Sequence, residues 1–282
     1  MRTSAKLCKK INGLFPLPRH PFNLQSGGVM TYGEWQYEKG KDTIKFYLCF
    51  TDAREMFFGK VVLDIGCGAA GKSLYYASLG AEKIYGVDIL ESYKAEACAL
   101  AQKLGLAGKF EFVCADASAL PFEDGSADTI IMNDAMEHVA NPEKVLREAM
   151  RTLRRGGRLY LNFPPYYHPF GAHLSDAIGI PWVQLFFSDA ALIEVYRDAV
   201  RNLPDGPRRL AFRISRGEDG EEYFSYINKM TIRKFKEILK RTSITPVYYH
   251  EAPLRGFLSP LARVAGLKEG LVKMVVCVLE KN

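Results

Sequence analysis

Four aspartates each close a short apolar run: Asp64 in VVLDI, Asp88 in KIYGVD, Asp116 in FEFVCAD and Asp134 in TIIMND. Carboxylates at strand ends can accept hydrogen bonds from hydroxyls, pair with cations or hold a metal. Past Asp64 and Ile65 comes GCGAAGKS, which satisfies two glycine-loop patterns at once. Gly66, Gly68 and Gly71 spell the G-x-G-x-x-G of dinucleotide folds, and Gly66 to Ser73 spell the G-x-x-x-x-G-K-[ST] of nucleotide triphosphatases. Asp64, two residues ahead of both, belongs to a third pattern.

The acids separate these readings. A phosphate loop presents backbone N–H groups and cations to its ligand, and a carboxylate behind it is a liability. At an effective dielectric of ~20, two like charges ~5 Å apart repel by roughly 3 kcal/mol. A ligand with cationic groups removes the conflict. S-adenosylmethionine is such a ligand, with a sulfonium, an ammonium, one carboxylate, a ribose and an adenine. Gly66 and Gly68 let the backbone approach its amino-acid end. Asp88, 22 residues after Gly66, suits a ribose diol, although that spacing serves a nicotinamide dinucleotide equally. The triphosphatase reading recruits Lys72, Ser73 and Asp134 but leaves Asp64, Asp88 and Asp116 without a task. On the cationic-ligand reading Lys72 and Ser73 open the first helix and face solvent.

Candidate proton acceptors are His138, His168, His173 and Asp134. His168 and His173, in PPYYHPFGAHLSD, follow the fifth strand, where an acceptor would enter. Their spacing is not that of a zinc pair, and no metal site is expected. NFPPYY, Asn162 to Tyr167, resembles the base-gripping loop of amino-directed DNA methyltransferases. A phenylalanine interrupts it and it follows the wrong strand, so it reads as a rigid strand exit.

These residues need elements to position them. From Lys60 onward short apolar runs alternate with amphipathic segments, the pattern of β-α-β units around a parallel sheet. Asn141 as N-cap, Pro142 at the first helical position and Val145, Leu146, Ala149, Met150 and Leu153 on one face predict a helix ended by Gly156 and Gly157. RLYLNF gives a fifth strand, and MTIRKFKEILKRT, SITPVYYH and VKMVVCVLEK give a later helix and two more strands. The expected fold is α/β, a doubly wound, mostly parallel seven-stranded Rossmann-like sheet with a helical lid. Four segments are expected: an aromatic-rich cap (1–59), a cofactor-binding core (60–163), a substrate-covering insertion (164–228) and a sheet-completing C-terminal part (229–282). In the insertion, SDAALIEVYRDAVRNL places Leu192, Val195, Tyr196, Ala199 and Leu203 on one helix face. The aromatic N-terminal segment and GIPWVQLFF, Gly179 to Phe187, read as an apolar roof or as a membrane-facing surface, with packing as a cap the favoured reading.

The 282 residues, 48% hydrophobic and 25% charged, describe an ordinary globular chain. A net charge of +6 is mild for a nucleic-acid binder. The densest basic group, Arg208, Arg209, Arg213 and Arg216, is followed by Glu218, Asp219, Glu221 and Glu222 and reads as a solvated face. Six scattered cysteines form no C-x-x-C pair, which argues against a disulfide framework or zinc site. With no apolar leader and no bilayer-length apolar run, the expected location is cytoplasmic, without nucleic-acid partner or transmembrane segment and with little reason for peripheral membrane contact.

VLDIGCGAAGKS, GVDI, CADASALPFEDGSADTIIMNDAMEHV and NPEKVLREAMRTLRRGGRLYLNF together resemble the class I S-adenosylmethionine-dependent methyltransferases, in particular the methyltransferase type 11 group, over about residues 60 to 163. The resemblance implies that Asp64, Gly66, Cys67 and Gly68 line the methionine end of the cofactor and that Asp88 holds its ribose. Ile89, Asp116 and Ala117 would border the adenine, Asn133 would lie near the transferable methyl, and His138 would occupy the family's E-H-V turn. It implies an enzyme that methylates a small-molecule acceptor, hydrophobic or aromatic if the roof faces the ligand, and releases S-adenosylhomocysteine. An idle cofactor-binding protein and a phosphate-binding hydrolase are the competing readings.

Overall fold

Among the described residues nine strands form: β1 (Val61–Ile65), β2 (Lys83–Asp88), β3 (Phe110–Cys114), β4 (Ala127–Asn133), β5 (Leu153–Phe163), β6 (Ile214–Arg216), β7 (Glu222–Phe224), β8 (Tyr248–Pro253) and β9 (Val272–Glu280). The computed structural model describes residues 1–264 and 266–282. Seven strands share one sheet in the order β3-β2-β1-β4-β5-β9-β8. The pairs β1/β2, β2/β3, β1/β4 and β4/β5 are parallel, and β9 runs antiparallel to β5. The expected seven-stranded doubly wound sheet is therefore present. Strands covered on both faces need apolar side chains in succession, and Val62, Leu63, Ile65, Ile130, Ile131 and Met132 are all buried.

Because β1 to β4 are mutually parallel, the carboxyl ends bearing Asp64, Asp88, Asp116 and Asp134 lie along one edge. Strand order reverses between β1 and β4, and in open α/β sheets ligands sit at such a switch point. The Asn141 side chain caps the helix Pro142–Thr152 by accepting from Lys144 N at 3.1 Å, with Val145, Leu146 and Ala149 buried. The helix stops at Thr152, earlier than the glycine pair suggests. Leu153 already begins β5, because pairing with β4 from Ala127 onward recruits it.

The chain divides into two compact units. The core unit comprises Met30–Phe163, Arg233–Ala252 and Met274–Asn282; the second comprises Met1–Val29, Pro164–Ile232 and Pro253–Lys273. The division thus falls inside the aromatic N-terminal segment.

In the second unit the helix Asp189–Val200 is capped by Ser188 and buries Leu192, Ile193, Val195, Tyr196 and Val200. Ala199, expected on this face, is exposed, while Ile193 and Val200 join it. The helix packs with Thr3–Asn12, whose Ala5 and Cys8 are fully buried.

The basic cluster is also corrected there. Arg209 and Arg213 are each 2% exposed, whereas Arg208 and Arg216 face solvent. Asp176 bridges the two buried guanidiniums, at 3.2 Å from Arg209 Nη1 and 2.9 Å from Arg213 Nη2. Tyr196 donates to the same carboxylate at 2.7 Å. Arg209 also donates to Asp205, Asn23 and Ser26, and Arg213 lies over the rings of Phe22, Tyr196, Phe212 and Tyr226. A buried charge is tolerated only when paired and hydrogen-bonded, and both arginines meet that condition.

Candidate functional site

The glycine loop leaves β1 at Gly66 and reaches the helix Gly71–Ser78 through left-handed residues: Gly66 (φ 76), Gly68 (φ 57) and Ala70 (φ 58). A Cβ on Gly66 would stand 2.6 Å from the Ala135 Cβ, so both φ and space demand glycine there.

Five of the loop's N–H groups are already committed, those of Gly66, Cys67, Gly68, Ala70 and Gly71. Gly66 N and Cys67 N donate to Val87 O, and Ala70 N donates to Cys67 O. Gly68 N donates to Asp88 Oδ2 at 2.8 Å, and Gly71 N to Gln36 Oε1 at 3.3 Å. A phosphate cradle needs such amides free, and these five are not. The two residues that complete the triphosphatase motif are likewise spent, and neither faces solvent as expected. Ser73 is fully buried and donates to Asp64 Oδ2 at 2.5 Å. Lys72 is largely covered and pairs with Asp134 Oδ2 at 2.7 Å.

A helix without a place in the chemical reading of the sequence holds this loop. Thr31 and Glu34 form a reciprocal capping box at the start of Tyr32–Ile44. Gln36 grips both ends of the loop, donating to Cys67 O at 3.1 Å while accepting from Gly71 N. Tyr32 lies against Gly68, where a Cβ would stand 3.1 Å from its ring. A Cβ on Gly71 would land on Gly33 O. The Thr31-x-x-Glu34 spacing is the sequence signal that marks this helix.

Acids outnumber cations here. Burial lifts the Asp64 carboxyl to about 6, with the Ser73 hydroxyl and Lys72 pulling the other way. Burial likewise raises Asp88, against hydrogen bonds from Leu90 N and Gly68 N. Glu137, 3% exposed, is pushed far above the carboxylate range by burial and then by the charge of Asp134. Desolvated carboxylates around one lysine favour a ligand that brings positive charge.

The remaining expected site residues fall along the same edge. Ile89, just past β2, is 66% exposed, a free apolar platform beside Asp88. Asp116 is exposed and accepts from Ser118 N at 2.7 Å, and Ala117 is half-buried. The Asn133 side chain turns into the core. Its Oδ1 accepts from Tyr47 OH at 2.5 Å and from Asn162 Nδ2 at 2.7 Å, and its Nδ2 donates to Tyr76 OH at 3.0 Å. That quartet anchors the ends of β4 and β5.

The three histidines divide between the units. His138 belongs to the core unit and is exposed, its Nε2 3.9 Å from Glu137. His168 and His173 belong to the second. His168 Nδ1 accepts from Phe170 N at 3.2 Å, and burial lowers its pKa to about 4. His173 has φ 53 and its ring lies 6.3 Å from that of Tyr226. Among the described residues no helix is long and apolar enough to cross a membrane.

Comparison with known proteins converges on the same reading. Residues 63–161 match the family described as methyltransferase domain. Over 111 residues the chain is 35% identical to the chloroplastic tocopherol O-methyltransferase of Arabidopsis thaliana, covering 39% of this chain and 32% of that protein. Over 178 residues it is 28% identical to the ubiquinone/menaquinone biosynthesis C-methyltransferase UbiE of Cronobacter sakazakii, covering 59% of this chain and 69% of that one. The chain thus spans about a third of the first relative and about two thirds of the second. Among solved structures, an S-adenosylmethionine-dependent methyltransferase from Mesorhizobium loti shares the fold with a TM-score of 0.51 at 13% identity, covering 88% of this chain and 98% of that one.

Proposed function

We propose that this chain, which carries a class I S-adenosylmethionine-dependent methyltransferase domain, transfers the cofactor's methyl group to a small molecule with an apolar or aromatic body. The observation that carries the reading is the state of the glycine loop: the amides of Gly66, Cys67, Gly68, Ala70 and Gly71 are satisfied by protein acceptors and the surroundings are acidic. That suits a sulfonium ligand and opposes a polyphosphate. When bound, S-adenosylmethionine supplies an electrophilic methyl on its sulfonium.

The chain's residues bind and orient. Asp64, Gly66, Cys67 and Gly68 take the methionine end, and Asp88, held by Gly68 N and Leu90 N, takes the ribose hydroxyls. Ile89 packs on the adenine, with Asp116 and Ala117 at its border. In-line methyl transfer asks the protein mainly for alignment and exclusion of water. A base is needed only where the acceptor must lose a proton, and His138, His168 and His173 are the candidates for that work.

The acceptor class is supported by the relatives, which act by name on tocopherol and in ubiquinone and menaquinone biosynthesis. The test is incubation of the full chain with methyl-labelled cofactor and separate polar and apolar metabolite extracts. Label in the apolar fraction is expected. Label confined to polar compounds contradicts the acceptor class, and cofactor binding without any transfer favours an idle binding protein.

A further inference from the structure

Large apolar side chains normally stand exposed one at a time. In the second unit they do not. Phe257 is 80% exposed, Val264 50%, and Leu261 and Leu267 47% each. They lie in a short segment built from the turns Gly256–Leu258 and Leu261–Arg263 and the helix Lys268–Leu271. Backbone bonds from Lys268 N to Val264 O and from Leu254 N to Leu271 O close it on itself.

A second exposed pair adjoins it. Trp182 donates through Nε1 to Gly270 O at 3.1 Å, and the helix Val183–Phe186 that follows carries Leu185 at 52% and Phe186 at 71%. For Gly179–Phe187 the sequence favours packing as a cap rather than a membrane-facing surface. Ile180 and Val183 pack inward, but one helical turn cannot bury all its faces, and Leu185 and Phe186 point outward.

The charge around these residues is one-sided. From Pro253 to Lys273 the chain carries Arg255, Arg263, Lys268 and Lys273 against the single acid Glu269. Glu269 is engaged, accepting from Ile232 N at 2.9 Å. Arg255 and Arg263 are exposed and have no carboxylate partner among the ion pairs of the described residues.

We propose that this surface docks the protein onto an anionic lipid bilayer, with Phe257, Leu261, Val264, Leu185 and Phe186 entering the interface and Arg255 and Arg263 pairing with lipid phosphates. Apolar insertion and electrostatic attraction to anionic headgroups act together at such surfaces. Charge complementarity selects this occupant: the guanidiniums flank the apolar residues and have no carboxylate partner among the described residues. Binding is therefore salt-dependent and requires both parts.

The test is co-sedimentation of the full chain with vesicles of phosphatidylcholine alone or mixed with phosphatidylglycerol, at low and high salt. Binding to the mixed vesicles at low salt, and much weaker binding to neutral ones, is expected. The pair Phe257→Ser with Leu261→Ser, and the pair Arg255→Glu with Arg263→Glu, are each expected to weaken it by about tenfold or more. Both variants should keep wild-type melting temperature and calorimetric affinity for S-adenosylhomocysteine, so this outcome is separable from failure of the methyltransferase reading. Absence of wild-type binding, or folded variants that bind as wild type does, overturns the proposal. So does sedimentation velocity showing a wild-type dimer that Phe257→Ser dissociates, because the surface would then serve a second copy of the chain.

Discussion

Acidification offers a sharp test of the electrostatics at the glycine loop. The folded Asp64 carboxyl titrates at about 6 against an ordinary value of 3.8, chiefly because it is buried. If the carboxylate is the form that favours a sulfonium and an ammonium, apparent dissociation constants scale with one plus the ratio of proton concentration to the acid constant. Between about pH 7 and about pH 5 that factor rises from about 1 to about 11, so affinity should fall about tenfold, or 1.4 kcal/mol. The stability of the ligand-free protein moves the opposite way. A carboxyl raised in the folded state holds its proton more tightly than the unfolded chain does. Its contribution is full below the ordinary value and is lost as pH rises through about 6, on the order of 3 kcal/mol. Isothermal calorimetry with S-adenosylhomocysteine across this window, on wild type and Asp64→Asn, reads the first effect. Asp88, raised in the same direction, contributes a residual dependence in the variant. Wild-type affinity that is flat with pH, or an Asp64→Asn protein that keeps the whole tenfold change, would refute the reasoning.

Two substitutions test the scaffold beneath the site and a third tests the interior of the second unit. Gly71→Ala places a methyl on Gly33 O and 2.6 Å from Tyr37 N; since backbone must give way, it should cost about 1–3 kcal/mol or more and weaken cofactor binding, read by thermal melts and calorimetry. Tyr47→Phe removes the donor to Asn133 Oδ1 and an acceptor for Asn162 Nδ2, with an expected loss of about 1–3 kcal/mol in denaturant unfolding. Arg213→Met strips Asp176 of one of its two buried guanidiniums and should destabilise by about 3–5 kcal/mol; an unchanged unfolding midpoint would return Arg213 to the role of a surface charge.

What could be read from the chain was what is local. Alternating apolar runs and the acids that close them carry the sheet, the shared strand edge and the type of ligand, because strand-end position is a property of the run itself. The capped helix after Asn141 was legible for the same reason. What escaped depends on partners far away in sequence. Arg209 and Arg213 look like surface charges among neighbouring acids until Asp176, more than thirty residues upstream, is found between them. Lys72 and Ser73 look like phosphate ligands or solvent-facing residues until Asp134 and Asp64 claim them. Gln36 carries no motif, yet it clasps the loop at both ends. Ala199 shares the helical period of its neighbours, but the face that is buried is chosen by the helix Thr3–Asn12 and its companions.

We propose that the loop from Gly66 to Ser73 seats S-adenosylmethionine and not a polyphosphate. Calorimetric titration of the full chain with S-adenosylmethionine and, separately, with ATP and magnesium tests it most directly. Saturable binding of S-adenosylmethionine that Asp88→Ala weakens is expected, with no heat of binding from ATP. Tight ATP binding with no response to S-adenosylmethionine would contradict it.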